Sequence, residues 1–264
     1  MATLVSFHAH PDDEAIGCGG TLAKAAAEGH RVVVVVATRG EQGEVAEGVL
    51  APGESLAERR VVETMAAARV LGVHRVAFLG YRDSGMMGTA ANDDPGCFWR
   101  ADLDEAAARL AAILDEEAAD VLTVYDDHGL YGHPDHIQVH RVGTAAARLA
   151  GTARVYEGTV DRDYVQDLLD RAAELGMTTA PDLPPDPESF GSPAEVVTTV
   201  VDVRDHLDAK RAAMAAHASQ IAETSFFLGM PPEAFVAVWG QEWYIRQGAR
   251  PGAERETSLF DGLA

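Results

Sequence analysis

Short apolar runs alternate with longer segments of helical periodicity along the first half of this chain. The apolar runs predict strands over Thr3–His8, Arg31–Thr38, Arg75–Leu79 and Asp120–Tyr125. The second run contains five consecutive valines, a pattern typical of a strand that is buried on both faces of a parallel sheet.

Helices are predicted between these strands. An alanine-rich helix follows Gly17–Gly20 and ends near Gly29, and further helices are predicted over 54–71, 102–118 and 134–149. Strands that alternate with helices imply right-handed crossovers, so we expect an α/β fold with a Rossmann-like, mostly parallel sheet and helices on both faces. In such a sheet we expect the active site at the C-terminal ends of the strands.

Beyond residue 150 the pattern is weaker. It predicts a helix over 160–175, a strand over 195–203 and a helix over 205–217, and five prolines indicate an irregular excursion over about 178–193. No internal repeat or linker divides the sequence, so we expect a single domain over 1–264.

Composition narrows the class of protein. The 264 residues are 47% apolar and 24% charged, which is ordinary for a globular enzyme. A formal net charge of −21 argues against nucleic acid or an anionic membrane as the main partner. Two cysteines cannot form a disulfide framework, and neither a secretory signal nor a run of about 20 apolar residues is present, so we expect a cytoplasmic protein.

Two segments combine histidine, aspartate and proline: His8–Glu14 and Tyr131–His136. Each follows a predicted strand and precedes a predicted helix, which places both at the same end of the sheet. Either segment alone is equally well explained as a turn with a helix cap. The two together favour one metal site, and the surplus of acidic and imidazole side chains favours a catalytic site over a structural one.

Three protein ligands and one water are the usual plan of a catalytic zinc site. We assign His10, Asp13 and His136 as the ligands, although iron(II) suits the same donors. Asp12 is adjacent to a ligand and is the candidate general base that accepts a proton from the water.

The second segment offers further catalytic groups. His133 precedes His136 by three residues and would project to the same side, where it can stabilise an oxyanion or protonate a leaving amine. We expect Asp135 to hydrogen-bond His133 and to keep it oriented and charged. Tyr131 can supply another donor.

Three neighbouring features have simpler explanations. His8 ends an apolar strand and is expected to be a structural histidine with satisfied hydrogen bonds. Cys18 is expected to be a small packing residue. Gly17–Gly20 lacks both the GxGxxG spacing and a P-loop lysine, so nucleotide binding is not expected.

His10–Glu14, the glycines that follow, and His133–His136 downstream resemble the PIG-L/LmbE-like zinc N-deacetylase superfamily. The resemblance implies that the protein removes acetyl from an N-acetylglucosamine-type sugar or a related amide. It also implies the roles assigned above, with zinc on His10, Asp13 and His136, Asp12 as base, and His133 as the oxyanion donor.

Further segments are similar to the mycothiol-pathway branch, which contains an N-acetylglucosaminyl-inositol deacetylase and a mycothiol conjugate amidase. They are 38–44, 60–63, 81–86, 215–220 and 254–257. This similarity implies that Arg60 and Asp83 contact the sugar or inositol. From the residues alone, Arg60 fits a solvated helix face and Asp83 fits a turn cap. Ala15–Gly17 is closer to the general superfamily, and the segment 150–195 is shorter than in the deacetylase.

Three functions therefore remain open. The first is a zinc-dependent N-deacetylase that takes a small N-acetylated amino sugar or its glycoside and releases acetate and a free amine. The second is an amidase that cuts a larger mycothiol-like thiol conjugate. The third is a non-catalytic carbohydrate-binding or metal-dependent regulatory protein. The sequence also leaves the oligomeric state open.

Overall fold

A computed structural model describes residues 1–45, 48–177, 189–250 and 254–263. Its seven strands are β1 (Thr3–His8), β2 (Arg31–Val36), β3 (Arg75–Phe78), β4 (Val121–Tyr125), β5 (Arg154–Thr159), β6 (Thr199–Asp202) and β7 (Gln241–Arg246). They form one sheet in the order β3-β2-β1-β4-β5-β7-β6. The first five strands in this order are parallel, and β7 runs antiparallel to both β5 and β6. The predicted α/β class with a mostly parallel sheet is confirmed.

The described residues form eight α-helical segments: α1 (Asp13–Ala27), α2 (Leu56–Val70), α3 (Leu103–Glu116), the single turn α4 (Gly129–Gly132), α5 (Pro134–Ala150), α6 (Arg162–Asp170), α7 (Leu207–Ala216) and α8 (Pro232–Trp239). Helices α1, α2 and α7 cover one face, and α3 and α5 cover the other. Within the described ranges, no helix combines the length and the apolar character needed to cross a bilayer.

The valines of β2 explain why the chain folds as a sheet between two helical layers. Val32, Val34 and Val36 belong to the apolar core beneath α1 and α7, whereas Val33 and Val35 belong to the core beneath α3 and α5. All five are fully buried. A strand whose alternate side chains enter two different cores must be apolar at every position.

Several predicted elements differ from the structure. The helix predicted to follow Gly17–Gly20 begins earlier, at Asp13. Helix α6 occupies only part of 160–175, and the strand predicted over 195–203 is formed only as β6. Strands β5 and β7 and helix α8 were not predicted. Of the proline-rich excursion expected over about 178–193, residues 178–188 lie outside the described part of the chain.

The glycine-rich stretch is built into α1 as a break in the helix. Cys18 has non-helical dihedral angles (φ −144°, ψ 17°), and the amides of Gly20 and Thr21 donate to the two carboxylate oxygens of Glu242, at 2.9 and 2.8 Å. A helix start binds anions through such free amides. Here the anion is a side chain of β7. A Cβ on Gly20 would lie 2.5 Å from the Cβ of Val203, so only glycine fits this approach.

Lys210 completes this interaction from α7. Its Nζ lies 2.6 Å from Glu242 Oε1, and the two residues are only 1% and 2% exposed. The pair therefore joins α1, α7 and β7 inside the protein, which ties the C-terminal third of the chain to the helix that follows the first motif.

The strand order also locates the site. β1 has β2 on one side and β4 on the other, so the connections that leave β1 and β4 diverge at their C-terminal ends. Such a switch point opens a crevice at the sheet edge. The two histidine-containing segments follow these two strands.

We predict that Lys210→Met lowers the free energy of unfolding by about 3–5 kcal/mol, because it leaves the buried Glu242 carboxylate without its cation. Urea unfolding followed by circular dichroism measures the change. Arg171→Met is the control, because it removes an exposed helical ion pair with Asp167 and should alter stability little. Equal unfolding midpoints for the two variants would contradict the assigned importance of the buried pair.

Candidate active site

The structure brings the two histidine-containing segments together at the ends of β1 and β4. His10 lies just beyond β1, and Asp135 lies in the first turn of α5. His10 Nε2 is 3.2 Å from Asp135 Oδ2, although the residues are 125 positions apart in sequence. Both are buried.

Asp13 stands between the two histidines that the sequence analysis assigned with it to a metal. Its Oδ2 lies 3.5 Å from His10 Nδ1, and its Oδ1 lies 3.5 Å from His136 Nε2. Asp13 Oδ2 also accepts the backbone N–H of His10 at 2.8 Å, which fixes the carboxylate against its own loop. The three predicted ligands therefore share one small volume.

The same volume contains other donors. His10, His133 and His136 each offer a ring nitrogen, and these nitrogens lie within 4.8 Å of one another. His10, Asp83 and Asp135 form a second group with the same spacing. The geometry thus gathers more donors than the three ligands that a catalytic zinc needs.

The charges in this cluster fit a bound cation. Three buried or nearly buried carboxylates, those of Asp13, Asp83 and Asp135, approach the single ring of His10. Burial would lower the pKa of His10, but hydrogen bonds to Asp13, Asp135 and Asp83 outweigh it and raise that pKa well above its usual value. Buried carboxylates need a compensating positive charge, and the imidazole and carboxylate donors suit a divalent metal.

Asp12 lies beside this cluster in a different environment. Its Oδ2 is 3.1 Å from Arg60 Nη2, and its side chain makes no capping hydrogen bond to α1, although the residue occupies the N-cap position. Burial raises the pKa of Asp12 to about 6, even though the positive charge of Arg60 acts in the opposite direction. A carboxyl group that titrates near neutrality suits a general base.

The expectation that Arg60 lies on a solvated helix face is wrong. It is 3% exposed, and its guanidinium donates to the carbonyl oxygen of Pro11 and, at 2.9 Å, to that of Gly40. A Cβ on Gly40 would lie 2.1 Å from Arg60 Nη1, so the loop wraps closely around the guanidinium. The structure therefore gives Arg60 an internal partner, Asp12, in addition to the substrate contact that the resemblance implies.

Asp83 belongs to the cluster of donor groups around His10 and also caps a turn. Its Oδ1 is 3.4 Å from His10 Nε2 and accepts the N–H of Gly85 at 2.8 Å. Its Oδ2 accepts the N–H of Gln42 at 3.1 Å. Burial would raise the pKa of Asp83, but the hydrogen bond and charge of His10 lower it below its usual value. Asp83 thus holds two loops at the rim of the site.

The expected pairing of Asp135 with His133 is wrong in its details. The Asp135 carboxylate accepts hydrogen bonds from the Ser84 N–H, at 2.9 Å, and from the Ser84 hydroxyl, and it faces His10. His133 instead caps α5, because its Nδ1 accepts the backbone N–H of Asp135 at 3.1 Å. Burial, with the charges of His10 and His136, lowers the pKa of His133 to about 3. His133 is therefore neutral, with its proton on Nε2.

Tyr131 is held over the histidines by a strained turn. Leu130 has φ 66° and Gly129 has φ 69°, and a Cβ on Gly129 would lie 2.7 Å from the backbone nitrogen of Ile137. The Tyr131 hydroxyl is 3.5 Å from His136 Nε2. Burial raises the pKa of Tyr131, so its hydroxyl stays protonated and available as a donor.

His8 makes the satisfied contacts expected of a structural histidine. Its Nε2 is 2.7 Å from Ser6 Oγ, and its Nδ1 is 2.9 Å from the Tyr125 hydroxyl. The Tyr125 ring stacks on His136 with a centroid distance of 4.4 Å. His8 thus supports the floor of the site through Tyr125. Cys18 Sγ, 3.5 Å from Ser6 Oγ, lies in the same layer.

Glu14 and His217 form a buried pair that the sequence analysis did not assign. Glu14 Oε1 lies 2.6 Å from His217 Nε2, and both residues are 0% exposed. Burial would raise the pKa of Glu14, but the charge and hydrogen bond of His217 lower it. Burial would lower the pKa of His217, but the charge and hydrogen bond of Glu14 outweigh it and raise that pKa.

Sequence reasoning also missed Ser84 and Tyr125. Ser84 and His217 fall within the segments 81–86 and 215–220, which carried the family resemblance but no assigned chemistry. That resemblance was the available signal. Nothing in the local pattern indicated that either residue would reach the site.

Comparisons with known proteins agree with the fold and the two motifs. The family model described as "PIG-L: GlcNAc-PI de-N-acetylase" matches residues 5–147. A 1D-myo-inositol 2-acetamido-2-deoxy-alpha-D-glucopyranoside deacetylase from Acidothermus cellulolyticus is 42% identical over 279 residues, which cover 100% of this chain and 96% of that protein. The resemblance inferred from the sequence is confirmed.

Solved structures share the architecture at lower identity. N,N'-diacetylchitobiose deacetylase from Pyrococcus horikoshii is 22% identical with a TM-score of 0.55, over 84% of this chain and 71% of that one. A 4-carboxy-2-hydroxymuconate hydratase from Pseudomonas putida is 19% identical with a TM-score of 0.60, over 95% and 98%. These likenesses concern the fold alone. By the family model and the full-length relative, the chain belongs to the PIG-L family of GlcNAc-PI de-N-acetylases.

Proposed function

We propose that this protein hydrolyses the N-acetyl amide of an N-acetylglucosamine glycoside, with inositol as the favoured aglycone, and releases acetate and a free amine. One observation carries the reaction type: His10, Asp13 and His136 converge, and the carboxylate of the adjacent residue Asp12 pairs with Arg60. The name of the full-length relative from Acidothermus cellulolyticus supports the choice of substrate. We also propose that residues 1–264 form one domain, which the single sheet supports.

The residues that would hold the metal are His10, Asp13 and His136, and zinc is the proposed ion. Asp13 presents separate oxygens to the two histidines, each at 3.5 Å from a ring nitrogen, which supports this choice of ligands. A bound zinc would polarise the amide carbonyl and lower the pKa of a water molecule. Asp135, with Ser84 behind it, faces the opposite nitrogen of His10 and orients the ring.

Asp12 is the proposed general base. Its carboxylate lies beside the ligands, and its pKa near 6 makes it a proton acceptor at neutral pH. His133 is the proposed donor to the carbonyl oxygen, where negative charge develops, through its Nε2–H. Tyr131 is the proposed donor to the same oxygen or to the departing amine, and its hydroxyl lies 3.5 Å from His136 Nε2. Arg60 and Asp83 would border the sugar.

An amidase that cuts a larger thiol conjugate would use the same groups, and a binding protein would use none of them for turnover. The decisive experiment incubates zinc-loaded protein with N-acetylglucosaminyl-inositol, N,N'-diacetylchitobiose and an S-conjugated N-acetylcysteinyl-glucosaminyl-inositol. We expect one equivalent each of acetate and new amine from the first, at the highest kcat/KM. Release of a cysteine conjugate without acetate would establish the amidase, and no turnover of any substrate would leave the binding protein.

We predict that His10→Ala, Asp13→Ala and His136→Ala each lose most of the bound zinc, because each removes one of three ligands. Elemental analysis after gel filtration measures the metal per chain. His140→Ala is the matched control, since His140 lies one turn beyond His136 on α5 and instead contacts the Tyr125 carbonyl oxygen at 3.0 Å. If all three variants kept stoichiometric zinc, the ligand assignment would be wrong.

Asp12→Asn and His133→Ala should both keep zinc and lose turnover. Loss of a general base typically lowers the turnover rate about 10²–10⁴-fold, which is the range expected for Asp12→Asn. Loss of an oxyanion donor lowers it about 10²–10³-fold, and in His133→Ala this loss should appear mainly in kcat. Steady-state kinetics at saturating zinc measure both. An empty metal site in His133→Ala would make His133 a ligand, and wild-type rates in Asp12→Asn would exclude Asp12 as the base.

A further inference from the structure

The backbone of Asp12 is held in a conformation that an aspartate rarely adopts. Its dihedral angles are φ 99° and ψ −29°, and among the described residues only Ala118 and Leu130 are other non-glycine positions with positive φ. Such a conformation persists only where the surrounding contacts enforce it, and these residues cluster at active sites.

The contact that holds the Asp12 peptide comes from Glu14. The Asp12 N–H donates to Glu14 Oε2 at 3.0 Å, and the other oxygen, Oε1, accepts from His217 Nε2 at 2.6 Å. His217 lies just past the end of α7 and is fully buried, as is Glu14. His217 therefore fixes the carboxylate that fixes the Asp12 backbone.

The side chain and the carbonyl group of Asp12 have other partners. Arg60 from α2 pairs with its carboxylate and also donates to the carbonyl oxygen of Pro11, the preceding residue. The Asp12 carbonyl oxygen accepts the N–H groups of Ala15 and Ile16, at 3.0 Å each, and so starts α1. The peptide, the carbonyl group and the side chain of Asp12 each have a different partner.

We propose that Glu14 and His217 are positioning residues that hold Asp12 in its left-handed conformation, so that its carboxylate is oriented to act as the general base on the attacking water. This rests on the proposed function of Asp12 as the general base. Neither residue needs to touch substrate. Their effect on catalysis passes through the Asp12 backbone, and α7 becomes part of the catalytic scaffold although it contributes no catalytic residue.

The first test compares His217→Leu with His217→Gln in the full-length, zinc-loaded protein. The leucine variant lacks a donor to Glu14 and should have a kcat about 10²-fold lower than that of the wild type, with KM and bound zinc unchanged. A loss of this size is expected when a catalytic group, here the Asp12 carboxylate, is misplaced by about 1 Å. The glutamine variant keeps an N–H donor and should recover much of that loss. Equal kcat values in the two variants, or a loss of kcat/KM that comes from KM alone, would overturn the proposal.

Ser219→Ala is the matched control. Ser219 lies two residues beyond His217, and its hydroxyl and N–H donate to Glu63 at 2.6 and 2.9 Å, so it ties the same segment to α2 without reaching Asp12. We expect kcat near the wild-type value. A loss equal to that of His217→Leu would mean that the segment acts only through general stability, which would refute a positioning role.

A second test needs no activity, so it separates this proposal from the proposed function. Thermal unfolding of zinc-loaded protein compares Asp12→Gly with Asp12→Ala, because glycine tolerates positive φ and alanine does not. The glycine variant should unfold at the higher temperature. The difference should shrink in the His217→Leu background, where the Asp12 peptide can relax. An undiminished difference there would show that His217 does not hold the Asp12 backbone.

Discussion

The site depends on three consecutive carboxylates, one buried and two mostly shielded from solvent, each of which needs its own positive or donating partner. Asp12 pairs with Arg60, Asp13 lies between His10 and His136, and Glu14 pairs with His217. Asp13 and Glu14 are helical and point in directions about 100° apart, whereas Asp12 is a non-helical N-cap, so the three side chains separate at the beginning of α1 and meet three different parts of the protein. Without those partners their mutual repulsion and their desolvation would oppose folding.

The partners come from elements far apart in sequence, and this makes the catalytic arrangement a property of the whole fold. Arg60 is on α2, His136 on α5, and His217 just beyond α7. The buried Lys210–Glu242 pair secures α7 against α1 from a second point. A displacement of α7 would therefore disturb both the break in α1 and the Glu14–His217 pair beside Asp12, so under our proposal stability and catalytic geometry are linked through the same helix.

The sequence predicted most of the first half of the fold, because continuous valine runs and helical periodicity report burial directly. It also placed both histidine motifs after strands, and their convergence follows from the parallel order. It could not predict that Arg60 is buried, because Glu58-Arg59-Arg60 has the pattern of an exposed helix start and its acidic partner is 48 residues away. β7 was missed for a similar reason. Its apolar run is only Trp243–Ile245, and the charged Glu242 precedes it. The partners that accompany the burial of Glu242 include the distant Lys210 and the amides of α1.

The glycine-rich stretch shows how this chain differs from a nucleotide-binding α/β protein with a similar sheet. In such proteins a helix start at the switch point offers free amides to a phosphate. Here the amides of Gly20 and Thr21 already donate hydrogen bonds to Glu242, and Val203 packs closely against Gly20. The break in α1 is thus satisfied internally, and the helix start that remains at the sheet edge, Asp12–Glu14, carries carboxylates. Because carboxylates favour a cation where free amides favour an anion, the topological position that binds a phosphate in those proteins favours a cation here.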